Sequence, residues 1–111
     1  MRPLFHPQAQ DIRLEAILHA LSDPARAALF IQIAGADCAQ TCTALAEGAG
    51  QAIPKSTLSQ HFKVLREAGL IRSERQGVEM RNTARCAEID ERFPGLLPAI
   101  LEAHRRQRAQ G

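Results

Sequence analysis

A mainly helical single domain carrying one β-hairpin is the fold class this sequence predicts, and three observations predict it. Apolar residues recur at helical spacing in four separate stretches. Glycine, proline and capping residues punctuate those stretches at short intervals. One region, around Gln76-Gly77, alternates like paired strands instead. The chain has 111 residues, enough for one modest core, so residues 1–111 are read as one domain. At 45% hydrophobic and 23% charged residues, the balance is that of a folded domain and argues against disorder.

The first element covers residues 11–21, where Leu14, Ile17, Leu18 and Leu21 form one apolar stripe. Ser22-Asp23-Pro24 closes it and opens a second helix: Asp23 suits an N-cap and Pro24 the first helical position. That second helix runs to about Ala34, with Ala25, Ala28, Leu29 and Ile33 inward. A short helix is expected at residues 43–47, broken by Gly48-Ala49-Gly50 and blocked by Pro54. Ser56 is read as the cap of a helix over residues 57–68, with Leu58, Phe62 and Leu65 on one side. Ser56, Ser59, Gln60 and Lys63 fall on another side. Gly69 suits the left-handed position that ends such a helix, with Leu70 placed for the accompanying hydrophobic contact. A strand opens at Leu70-Ile71, turns at Gln76-Gly77 and returns from Val78 to about Ala84. Phe93, Leu96, Leu97, Ile100, Leu101 and His104 then recur at helical spacing. Pro98 requires that last helix to start near Leu97 or to be kinked at its start.

The net charge is only +2, but its distribution is uneven. Residues 54–85 carry seven Lys and Arg against three Glu, and Arg105, Arg106 and Arg108 are read as a frayed, solvated tail. Two readings of the central cluster stand, a phosphate footprint or an ordinary solvated surface. The order of elements narrows the choice. Two helices joined by a short turn, the second with a small polar and basic face, match a helix-turn-helix, and a basic hairpin directly after it makes the arrangement winged. The full order expected is α-α-α-α-β-β-α. The residue types suit the task, since Gln pairs with adenine while Lys and Arg neutralise phosphate and read guanine.

Residues 55–71, KSTLSQHFKVLREAGLI, resemble the recognition helix and first wing strand of the ArsR-type winged-helix repressors. Residues 20–26, ALSDPAR, resemble the signature those repressors carry between their first two helices, and residues 77–85 resemble their wing. The likeness spans roughly residues 12–104. It implies a homodimeric transcriptional repressor that binds double-stranded operator DNA and releases it on sensing an inducer. It places DNA contacts on Lys55, Ser56, Ser59 and Gln60, with support from Thr57, His61 and Lys63, and wing contacts on Arg75, Gln76 and Arg81. It also implies a dimer seam made by the first and last helices.

The sensing residues do not follow the same likeness. Cys38 and Cys42 are spaced Cys-x3-Cys, unlike the Cys-Val-Cys type motif of arsenic- and cadmium-sensing members. The last helix offers Glu102 and His104, with Asp90 upstream, and lacks the Asp-x-His pair of zinc-type members. Two readings of Cys38 and Cys42 stand: a thiol pair for a thiophilic metal, a metalloid or an oxidant, or small packing residues. Cys86 is a possible third thiol. No cofactor is required on either reading. His6 and His19 read as surface or partly buried, and His61 as a DNA contact or a packed residue.

Other function classes find less support. The chain shows no glycine-rich phosphate loop, no nucleophile elbow and no His-Glu-x2-His, so no enzyme is expected. Asp90-Glu91 precedes a helix as cap-like charge would. No apolar run reaches membrane-spanning length and residues 1–7 lack a signal peptide's pattern, so a cytoplasmic chain is expected, and an odd count of three cysteines argues against a disulfide framework. The alternatives are a winged-helix regulator without a cysteine sensor, controlled by another small molecule, and a winged-helix module for protein–protein contact.

Overall fold

The computed structural model describes residues 4–35, 40–41 and 54–110. A 3-10 turn (Ala9–Asp11) leads into α1 (Leu14–Ala20) and α2 (Pro24–Ala34). After β1 (Gln40–Thr41) come α3 (Lys55–Glu67), the hairpin of β2 (Ile71–Gln76) and β3 (Glu79–Ala84), then α4 (Cys86–Arg92) and α5 (Leu96–Ala109). The expected helix at residues 43–47, and Cys38 and Cys42, lie outside the described residues.

The boundary between α1 and α2 follows the expected chemistry. Asp23 accepts hydrogen bonds from the Ala25 and Arg26 N–H groups at 2.9 and 3.1 Å, and Pro24 takes the first helical position. Those N–H groups, Arg26's first, hold the Asp23 carboxyl below the usual carboxylate range. Arg26 folds back over the same junction, where its Nε donates to the Ala20 carbonyl at 2.6 Å and Nη2 to that of His19 at 3.3 Å. The C-terminal carbonyls of α1 thus find a donor six and seven residues away in sequence.

The core is one cluster to which each of the five α-helices contributes. Ile17 and Ala20 of α1, Ala27, Leu29, Phe30 and Ile33 of α2, and Leu58, Phe62 and Leu65 of α3 are buried together, with Ile71, Ile89 and Leu97. The α1 stripe divides. Ile17 and Leu21 enter the core, while Leu14 and Leu18 remain 38% and 49% exposed.

Four boundaries differ from the sequence expectation. Helix α3 begins at Lys55 with Pro54 at its N-cap position, so Ser56 sits inside the first turn and is not the cap. The hairpin turns at Gly77-Val78, one residue later than expected, and Gln76 ends β2 by pairing with Glu79. Gly77 has φ +66° and no other residue there is left-handed, the pattern of a two-residue turn that takes glycine first. Residues 86–92 form a separate helix, α4. Gly95, at φ +83°, parts it from α5, and Asp90 accepts from the Gly95 N–H at 3.3 Å. Pro98 is therefore the third residue of α5, where its missing N–H costs no helical bond. The tail is not frayed, since α5 continues to Ala109 and Glu102 pairs with both Arg105 and Arg106.

The sheet has three strands in the order β1-β3-β2, all antiparallel. Its inward pair, Ser73 and Asn82, is polar and buried, with the Ser73 hydroxyl donating to Asn82 Oδ1 at 2.7 Å.

Candidate nucleic-acid interface

Helix α3 is sorted cleanly by side. Leu58, His61, Phe62 and Leu65 are buried, whereas Lys55, Ser56, Thr57, Ser59, Gln60 and Lys63 are exposed. Apolar contacts on one side thus fix the orientation of a small polar and basic surface on the other. The first turn holds no acidic residue and no side-chain cap, so its outward N–H groups and positive dipole end meet no acidic cap among the described residues.

The end of α3 is set with equal care. The Leu70 N–H bonds to the Leu65 carbonyl at 3.0 Å and the Gly69 N–H to that of Arg66 at 3.1 Å, a complete Schellman ending. Gly69 has φ +87°, and a Cβ there would meet Cγ1 of Ile12 at 2.5 Å. Only glycine fits both the backbone and the space, and the chain leaves α3 directly into β2.

The hairpin presents Arg75 and Arg81, both exposed, but not together. Arg75 pairs in register with Met80, on the side of Ser73 and Asn82. Arg81 pairs with Glu74, on the opposite side, with Arg72 and Thr83. Val78 stands fully exposed at the tip between them.

Two of the basic residues in the central cluster serve the fold or a pair, and a third is half-buried. Arg85 is buried and donates from Nη1 to the Pro7 carbonyl at 2.8 Å, while its Nε holds Glu88. Arg72 lies 3.7 Å from Glu88 as well. Together they hold the Glu88 carboxyl below its ordinary value, with the Arg85 hydrogen bond the largest cause. Arg66 is half-buried, with its Nε lacking a hydrogen-bond partner among the described residues. The surface open to an outside anion is therefore Lys55, Lys63, Arg75 and Arg81 with the α3 hydroxyls and Gln60.

His61 stands apart from the other sequence candidates. It is 8% exposed, on the inward side of α3, and its Nδ1 has no partner among the described residues. It lies near enough to Asp23 to favour that carboxylate's charge. Cys86 opens α4 half-buried, and burial pushes its thiol up, away from the reactive thiolate. Among the described residues no three His, Cys, Asp or Glu side chains gather as metal ligands. None of the described helices is long and apolar enough to cross a membrane.

Comparison with known proteins agrees with this geometry. Residues 21–74 match a family of helix-turn-helix domains. An ArsR-like transcriptional regulator from Rhodococcus sp. RHA1 is 27% identical, with a TM-score of 0.61 over 86% of this chain and 87% of that one. Two further structures share the fold. A second ArsR family transcriptional regulator is 21% identical, with a TM-score of 0.62 over 88% of this chain and 97% of that one. Reduced HlyU from Vibrio cholerae is 19% identical, with a TM-score of 0.61 over 84% of this chain and 85% of that one. No curated protein matches significantly. The helix-turn-helix match, the basic hairpin after α3 and the Rhodococcus likeness agree on one architecture: the chain folds as a winged helix-turn-helix and is similar to ArsR-like transcriptional regulators.

Proposed function

We propose that the protein is a homodimeric repressor that grips operator DNA with α3 and the hairpin of each subunit. The observation that carries this reading is the exposed polar face of α3, continuous in sequence with a hairpin bearing Arg75 and Arg81. Lys55, Ser56, Ser59 and Gln60 are the principal contacts, Thr57 and Lys63 support them, and Arg75, Gln76 and Arg81 hold the wing to the duplex. His61, being buried, shapes the helix from within rather than touching DNA. The unpartnered apolar residues Leu14 and Leu18 of α1, with half-buried Ile100 and Leu101 of α5, supply a seam for the second subunit.

Two copies of α3 related by a two-fold axis address half-sites about 10 base pairs apart. Fluorescence anisotropy with duplex DNA across a salt series tests the reading. Affinity falls steeply with salt as several counterions are released. A salt-independent Kd, or a monomer at micromolar concentration that still binds, overturns it. Gln60→Ala should weaken operator binding by roughly 1–3 kcal/mol and relax preference at one base per half-site.

Release is assigned to a thiol-reactive species or thiophilic metal acting at Cys38 and Cys42, close in sequence to the expected short helix ahead of α3. A protein with Cys38→Ser and Cys42→Ser, titrated with arsenite, copper(I) and persulfide, tests this. Unchanged release returns both cysteines to a packing role, and lost release with intact operator affinity makes them the sensor.

A further inference from the structure

Residues 4–12 run against the base of the wing and are tied there at several points. The Ser73 N–H donates to Nε2 of His6 at 3.0 Å. Arg85 donates to the Pro7 carbonyl at 2.8 Å, and Arg92 to that of Ile12 at 2.7 Å. Ile12 itself packs over Gly69. Strand β2 is an edge of the sheet, so the His6 bond covers a main-chain donor that β3 cannot reach.

The chemistry of this contact demands one protonation state. To accept from Ser73, Nε2 must carry no proton. The ring proton then lies on Nδ1, which is free to serve the His6 hydrogen bond with the Leu4 backbone. The charged groups facing the ring are all cations: Arg72 from β2, Arg66 from α3 and Arg85 from the β3–α4 junction. Glu88 of α4 is engaged by Arg85 and Arg72.

We infer that residues 4–7 form an acid-released strap on the outer edge of the wing, in which neutral His6 holds the Ser73 N–H and lets it go on gaining a proton. Protonation removes the acceptor and sets a fourth cation among three arginines. Burial first, and then Arg72, Arg66 and Arg85, keep the His6 ring below its ordinary 6.5. The unfolded chain therefore takes up this proton at higher pH than the folded one. The strap's contribution is complete above pH 6.5 and is lost as pH falls through the lowered folded value.

The test is amide hydrogen exchange of the whole protein by NMR, read as the protection factor of Ser73 against pH. The His6 ring protons report its titration in the same samples. The wild type should lose roughly tenfold or more of Ser73 protection as His6 titrates, while the β2–β3 ladder amides stay protected. His6→Ala should show the low value already at pH 7.5. His6→Gln, whose side-chain oxygen accepts without titrating, should keep protection at both ends of the range. The inference is overturned by wild-type protection that stays flat while His6 titrates, which needs no variant to fold. It is equally overturned by full Ser73 protection in His6→Ala at pH 7.5, or by His6→Gln following the wild-type pH profile.

Discussion

Arg26, Arg85 and Arg92 donate to main-chain carbonyls of Ala20, Pro7 and Ile12, whereas Arg75 and Arg81 stand in water on the two sides of the hairpin. The first group joins segments six to 80 residues apart. Each closes a carbonyl that a helix end or the N-terminal segment leaves without a backbone partner. The second group makes no ion pair among the described residues, although Arg81 sits opposite Glu74. Identical side chains thus divide between holding the fold and facing an outside anion. What divides them is whether an orphan carbonyl lies within reach. Counting positive charge along the sequence overstates the surface open to an outside anion for this reason.

The largest test of that division is Arg26→Ala. It leaves the last carbonyls of α1 without their charged donor, which costs roughly 1.5–3 kcal/mol of stability. Urea denaturation should show a lower midpoint at an unchanged slope. Stability within the error of wild type would place Arg26 with the outward group.

Arg75→Ala and Arg81→Ala should do the reverse. Each should leave stability within about 0.5 kcal/mol of wild type and reduce the salt slope of DNA binding by about one. Because the two lie on opposite sides of the hairpin and share no partner, their losses should add in the double variant. A double variant no weaker than either single one would mean that both reach the same phosphate.

The helix-turn-helix frame was legible because its signals are local. Asp23-Pro24 marks one junction, Gly69 marks another, and the inward Leu58, Phe62 and Leu65 orient α3 by spacing alone. The exposed polar face of α3 was legible for the same reason, since helical periodicity separates it from the core. What the sequence hid is long-range. No spacing links His6 to Ser73 or Arg85 to Pro7, because those contacts exist only once β2 lies beside the N-terminal segment. Arg26 sits in a recognisable signature, yet nothing local reveals that it caps α1. Helix α4 was missed because seven residues bury only Ile89 and show no stripe. Moving the turn by one residue shifts each cross-strand partner by two, so Arg81 lies opposite Glu74 and not Arg72.

A smaller effect separates Glu88 from Glu102, two acids that each engage a pair of arginines. Glu88 is held by Arg85, which is buried, and by Arg72, so its carboxyl lies below the ordinary 4.5. The unfolded chain binds that proton at higher pH. The stability it contributes is therefore present above pH 4.5 and lost as pH falls through the folded value. With 39% of its side chain exposed, solvent screening keeps that contribution under about 1 kcal/mol. Glu88→Gln should flatten the acid limb of stability against pH.

Glu102 accepts from Arg105 at 2.6 and 2.8 Å and from Arg106 at 3.1 Å, on the exposed surface of α5. Those bonds, the Arg105 bond first, lower its carboxyl from 4.5 to about 2. Both carboxyls are lowered, yet the consequence for folding should be smaller at Glu102. All three side chains are at least 46% exposed, and water replaces each bond when it breaks. Arg85 differs because its other donor reaches a buried carbonyl that water does not serve. Glu102→Gln should leave the melting temperature unchanged while Glu88→Gln lowers it at neutral pH. NMR of the wild type should find Glu102 titrating below 4.5, in a range that collapses toward the ordinary value as salt is raised, whereas Glu88 moves less. Equal losses from the two variants would show that proximity to an arginine, and not the burial of that arginine's second partner, decides what an acid contributes in this fold.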